Sequence, residues 1–300
     1  MQIKVLEEKT IQKNSLVSVK KMGHIYELCY TQHRNTTCPI QKLDKDYYML
    51  ISSGEVRECE HSENRADNKL QVSQSLKRLR DYINTNVIDV SKCKWITLTY
   101  AENMQDPKKL YRDFDKFIKK FRYKYGHFEY IVAMEPQGRG AWHCHCIMIF
   151  TKIAPYIPNK IIESLWSNGF TKTQKLQDID NIGAYLTAYL GDMELQSVKD
   201  NKIKFNENDI KEVFEIGNKK LKTPKKFVKG GRLSMYPVGF NIYRISRGIK
   251  KPIKEYYSYD FIKEKEGLRQ PTYSKAIELT DEQSDFSNKI IYEYYNTKRI

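Results

Sequence analysis

Two histidines stand two residues apart in EPQGRGAWHCHCIMIF, residues 135–150, at His143 and His145. In an extended chain that spacing puts both imidazoles on one face, with Cβ atoms about 7 Å apart. Two such rings can converge on one metal ion at about 2.1 Å. An HxH pair alone equally describes two ordinary half-buried strand residues, so its neighbours decide. Glu135 lies at the end of the preceding predicted strand, across a hairpin, where its carboxylate can face the histidines. A His-His-carboxylate set leaves positions open on the metal for a phosphate oxygen and water. Oxygen-rich phosphate chemistry of this kind suits Mg²⁺ or Mn²⁺ better than a closed zinc site. Cys144 and Cys146 alternate onto the opposite face and read as small core residues.

A second chemical element lies in DIDNIGAYLTAYLGD, residues 178–192. Tyr185 and Tyr189 are four apart and share one face of the helix predicted over Asp178 to Leu190. In a chain with 22 tyrosines such a pair is often only packing. Beside a phosphate-binding metal site it reads as a source of nucleophiles. A phenol, with a pKa of about 10, attacks poorly unless the scissile phosphate is polarised, which a metal does. The product is a 5′-phosphotyrosine and a free 3′-hydroxyl, a reversible link.

The elements that must hold these groups follow from periodicity. Lys94 to Tyr100 is β-branched and aromatic and reads as a strand. Asp106-Pro107 starts a helix, Leu110, Phe114, Phe117, Ile118 and Phe121 form its apolar stripe, and Gly126 ends it. Phe128 to Met134 and Ala141 to Phe150 are two further strands, joined by a hairpin through PQGRG. Asn159 to Trp166 is a short helix stopping at Asn168-Gly169. Upstream, QVSQSLKRLRDYINTNV is helix-like and basic on one side. This order predicts an α+β domain, a central antiparallel sheet flanked by helices. Residues 218–232, NKKLKTPKKFVKGGR, hold seven positive charges and no negative ones. They are expected to form either a solvated loop or a contact to a DNA backbone.

Composition narrows the class. Net charge is +15, with 52 Lys and Arg against 37 Asp and Glu, which favours a polyanionic partner. The 22 Tyr and 12 Phe offer faces for unpaired bases. The first residues lack a signal-peptide apolar region, and no apolar run reaches the roughly 20 residues of a membrane span, so no membrane is expected. The six cysteines include no CxxC pair, and reduced thiols in a cytoplasm are the default. Cys38, Cys59 and His61 have spacings of no common zinc site. No repeat and no GxxxxGK[ST] phosphate loop occurs.

Taken together, these motifs resemble the HUH endonucleases, in particular the rolling-circle replication initiators of bacterial plasmids and phages. WITLT at 95–99 is similar to the first motif, a strand under the site. Glu135 with WHCHCIMIF is similar to the second, at the family's spacing of eight from carboxylate to first histidine. GAYLTAYL is similar to the third. The resemblance spans about residues 75–252, its late part being GGRLSMYPVGFNIYRISRGIKKP, and the tyrosines follow the histidines as in initiators rather than relaxases. It implies an HUH/RRM-like palm at 91–252, an N-terminal accessory segment at 1–90 and a C-terminal tail at 253–300. It further implies metal ligands Glu135, His143 and His145, Tyr185 as nucleophile with Tyr189 as a second, and sequence-specific nicking and rejoining of single-stranded or hairpin origin DNA. Lacking a phosphate loop, such a chain relies on a host helicase, and on a host polymerase to extend the 3′ end. The family tends to carry a lysine just before the second tyrosine. Here Ala188 stands there, a departure that bears on how the nucleophile and the leaving charge are handled. A tyrosine transposase with the same site, or a non-catalytic DNA-binding protein of the same fold, are the alternatives. The sequence leaves the origin sequence and the oligomeric state open.

Overall fold

A computed structural model describes residues 2–34, 38–61, 65–176, 183, 190–216, 219–281 and 286–299, the side chains of 69, 213–216, 219–223 and 299 apart. The chain divides into two compact units, Ser62–Lys251 and a second in which Met1–His61 combines with Pro252–Ile300. Where the sequence reading divides at 90 and at 252, the contacts thus join the two ends into one unit and give the helix after residue 68 to the central one.

The central unit is built on a five-stranded antiparallel sheet of β1 (Cys93–Thr99), β2 (Glu129–Pro136), β3 (Trp142–Ile149), β4 (Thr171–Gln174) and β5 (Tyr243–Ile245). Its spatial order is β4-β1-β3-β2-β5, so β3 runs in the middle with the widest choice of neighbours. Helices α1 (Lys69–Asn86), α2 (Pro107–Tyr125) and α3 (Asn159–Trp166) flank it. The start of α2 is as predicted: Asp106 accepts from the Lys108 amide at 2.8 Å and Pro107 opens the first turn. Gly126 ends it at φ 81°, a left-handed conformation glycine adopts without strain.

Strand alternation sorts the two faces. Leu110, Phe114, Phe117, Ile118 and Phe121 of α2 are buried against Ile96, Leu98, Val132, Met134, Cys144, Cys146 and Met148, with Ile162 and Trp166 of α3 completing this core. Each such side chain contributes about 1.5–3 kcal/mol of burial. The other face carries Ile131, Ala133 and Ile147 against Leu79 and Ile83 of α1. Because residues alternate, the face bearing α1 is also the face of Glu135, His143 and His145. Close packing also explains Gly169, where a Cβ would come within 2.6 Å of the Thr99 carbonyl oxygen and closer still to the Ala101 amide nitrogen.

The basic stretch differs from its prediction. Lys219–Val228 is a strand, paired with Ile210–Ile216 on one side and Met193–Glu194 on the other, and only Lys229 onward turns away. Two opposite charges bind it where a loop was expected: Lys225 to Glu194 at 2.9 Å and Lys226 to Glu212 at 3.6 Å.

The second unit is a six-stranded antiparallel sheet. Its strands lie in the order Gln2–Leu6, Tyr273–Thr280, Ser287–Asn296, Ile25–Thr31, Leu16–Met22, Ile253–Ser258. Val17, Val19, Leu28, Ala276 and Ile291 form its core with Ile262 of the helix Tyr259–Lys265. The class expected from the sequence, α+β with antiparallel sheets flanked by helices, is the class observed.

Candidate metal centre

β2 and β3 form the hairpin the sequence predicts, closed by Gln137 N to Ala141 O at 2.7 Å and Gly140 N to Gln137 O at 2.8 Å. That turn sets the register in which Glu135 lies directly opposite His143, and Ala133 opposite His145. On its other side β3 pairs with β1, which puts Thr99 beside His143 and Thr97 beside His145.

The three predicted ligands converge. His143 Nε2 lies 2.9 Å from Glu135 Oε1, His145 Nε2 lies 3.5 Å from the same oxygen, and the two Nε2 atoms are 2.8 Å apart. All the ligating atoms fall within 4.8 Å of one another, the one such group among the described residues. Atoms bound to a common ion at about 2.1 Å sit about 3 Å apart when their bonds are at right angles. Thr97 Oγ1 meets His145 Nδ1 at 3.3 Å, which turns the Nε2 edge of that ring towards the cluster. Glu135 and His143 are buried, and His145 is half-buried.

Two further observations favour a cation. Glu135 Oε2 and His143 Nδ1 are buried without a hydrogen-bond partner, while Oε1 is crowded by several donors. Burial alone would raise the Glu135 pKa, but hydrogen bonds from His143 and His145 and the charge of Arg232 outweigh it and hold the carboxyl well below its usual range. Burial lowers the pKa of His143 against the opposing pull of Glu135. A charged carboxylate and a neutral imidazole are the forms in which these groups bind metals. The donor set therefore fits a divalent ion. Its identity is a separate matter.

Residues 93–194 match the family model of the replication-associated protein ORF2. The match starts at the first residue of β1 and spans Glu135, His143, His145 and both tyrosines, about a third of the chain. It supports a replication initiator family, and with it DNA as the partner. No curated protein and no solved structure matches the chain. No helix among the described residues is long and apolar enough to cross a membrane.

Tyr185 and Tyr189, with most of the helix predicted over 178–190, lie outside the described residues. The described residues on either side are well anchored. Gly183 N donates to Asn84 Oδ1 of α1 at 2.8 Å. Leu190 packs with Leu79 and Ile83, and lines a small cavity that also has Trp95 and His145 in its wall.

The residue that sequence reasoning missed is Arg232. It sits in the basic stretch read as a loop or DNA contact, yet its side chain is mostly buried and its Nη1 donates to Glu135 Oε1. One signal was available: two glycines separate this arginine from the lysine run. Tyr236, also buried, is raised well above the usual tyrosine pKa by burial and by the nearby charge of Glu135.

Proposed function

We propose that the chain is a replication initiator that nicks one strand of an origin, single-stranded or hairpin, and remains covalently attached to it. The convergence of Glu135, His143 and His145 inside the segment matched by the replication family carries this reading. Glu135, His143 and His145 would hold Mg²⁺ or Mn²⁺, which supplies Lewis-acid polarisation of the scissile phosphate. Tyr185 is the nucleophile and Tyr189 the second tyrosine. The phenolic oxygen, losing its proton, bonds to phosphorus, and the bond from phosphorus to the 3′ oxygen breaks. That oxygen takes up a proton and is left as a free 3′-hydroxyl. Reversal of the same exchange rejoins the strand. A host helicase and polymerase then act on the opened origin, in the cytoplasm.

The test is incubation of the protein with origin oligonucleotides and Mn²⁺, followed by denaturing gels and mass spectrometry of the DNA-linked peptide. A covalent adduct on Tyr185, abolished by Tyr185→Phe and by His143→Ala, is expected. An adduct that survives Tyr185→Phe and is lost in Tyr189→Phe would exchange the two roles. Absence of any adduct, with binding intact in His143→Ala, would make the chain a DNA-binding protein without this chemistry.

A further inference from the structure

Arg232 lies outside the matched segment, yet it shares one carboxylate oxygen with both candidate histidine ligands. It is held there by a built support. The Gly230 amide donates to Asp192 Oδ1 at 2.9 Å, Lys211 binds the other oxygen of that buried carboxylate, and the Arg232 amide donates to Gly191 O at 2.9 Å. A Cβ on Gly231 would press to 3.0 Å on Met193 Cβ and 3.1 Å on Val198 Cγ2, so this turn fits closely against its neighbours.

The placement has an electrostatic consequence. Without a cation, Arg232 neutralises Glu135. A divalent ion must displace the guanidinium from Oε1 and then sit beside its positive charge, and both effects weaken metal binding. With the ion bound and both imidazoles neutral, the cluster carries two excess positive charges. The released guanidinium, whose Nε is buried without a partner, then offers a fork of donors matched to a phosphate. An anionic phosphodiester relieves the excess charge.

We propose that Arg232 is a positioning residue that couples metal and DNA: it keeps metal affinity low in the free protein and raises it when a DNA phosphate is present. The inference rests on the metal-dependent reading above. Coupling of this kind is reciprocal, so metal also strengthens phosphate binding through the same side chain.

The experiment is titration of the full chain with Mn²⁺, followed by the paramagnetic resonance of the free ion, with and without a ten-nucleotide oligothymidylate. In the unaltered protein the oligonucleotide is expected to tighten Mn²⁺ binding by about tenfold. Arg232→Met should bind Mn²⁺ about tenfold more tightly without DNA, and the oligonucleotide should then change little. Arg232→Lys, which keeps the charge without the fork, should retain weak Mn²⁺ binding and lose most of the response to DNA. The lysine variant also serves where the methionine variant fails to fold. Unchanged Mn²⁺ affinity and an unchanged oligonucleotide effect in either folded variant overturn the role of Arg232 alone. Failure of the unaltered protein to bind Mn²⁺ at all, with or without DNA, overturns the metal centre and this inference together.

Discussion

Glu135 Oε1 is the atom on which two imidazoles and a guanidinium meet, and stability there depends on which of them remain. Removing one partner of a buried pair leaves an uncompensated charge, at a cost of about 3 kcal/mol. Glu135→Ala, unfolded with urea in the presence of a chelator, is therefore expected to lose about that much. Adding Arg232→Met should restore most of it, because the stranded charge is then gone. Strictly additive losses in the double variant would show that the two side chains do not compensate each other. Much of this site was legible beforehand. The HxH pair and the carboxylate eight residues earlier follow from strand alternation and one hairpin, both local properties. Arg232 was not, because it reaches Glu135 across 97 residues of sequence, through a turn whose direction depends on Asp192 and on the packing of Gly231.

At the level of elements, the local signals were again the reliable ones. Helix α2 was legible from its cap, its proline, its apolar stripe and its terminal glycine. The strand Lys219–Val228 was not, since a lysine run with a proline has low strand propensity by itself. Pairing with Ile210–Ile216 overrides that preference, and the register shifts between Val213 and Glu215, next to the point where Pro224 interrupts the ladder. The face of the sheet that carries the metal ligands is covered by α1, and α1 is also where the segment before the tyrosines docks. A Cβ on Gly183 would lie 2.6 Å from both the Arg80 carbonyl oxygen and Asn84 Oδ1. Gly183→Ala must therefore push this segment off α1. A displacement of about 1 Å at reacting groups can cost about 10²-fold in rate. A loss of that order in adduct formation is expected, with Mn²⁺ affinity unchanged. Equal loss of Mn²⁺ binding would mean instead that the whole sheet face had been disturbed.

Across the molecule, the charge is divided as unevenly as the chemistry. Residues 1–61 and 252–300 carry 17 Lys and Arg and 17 Asp and Glu, while residues 62–251 carry 35 against 20. The entire excess of +15 thus belongs to the unit that contains the Glu-His-His cluster and the family match. Counterion release makes binding to a polyanion depend on this excess, with a slope of about −0.7 per phosphate neutralised on a single strand. Lysines of the two units should therefore not be equivalent, although both units expose them. Lys226→Gln with Lys229→Gln should flatten the plot of log affinity against log salt by about 1.4 for a single-stranded oligonucleotide. Lys254→Gln with Lys275→Gln, in the neutral unit, removes the same number of exposed charges and should leave the slope unchanged. If the second pair flattened the slope as much as the first, DNA would have to run over both units. The division of labour drawn from the charge balance would then be wrong.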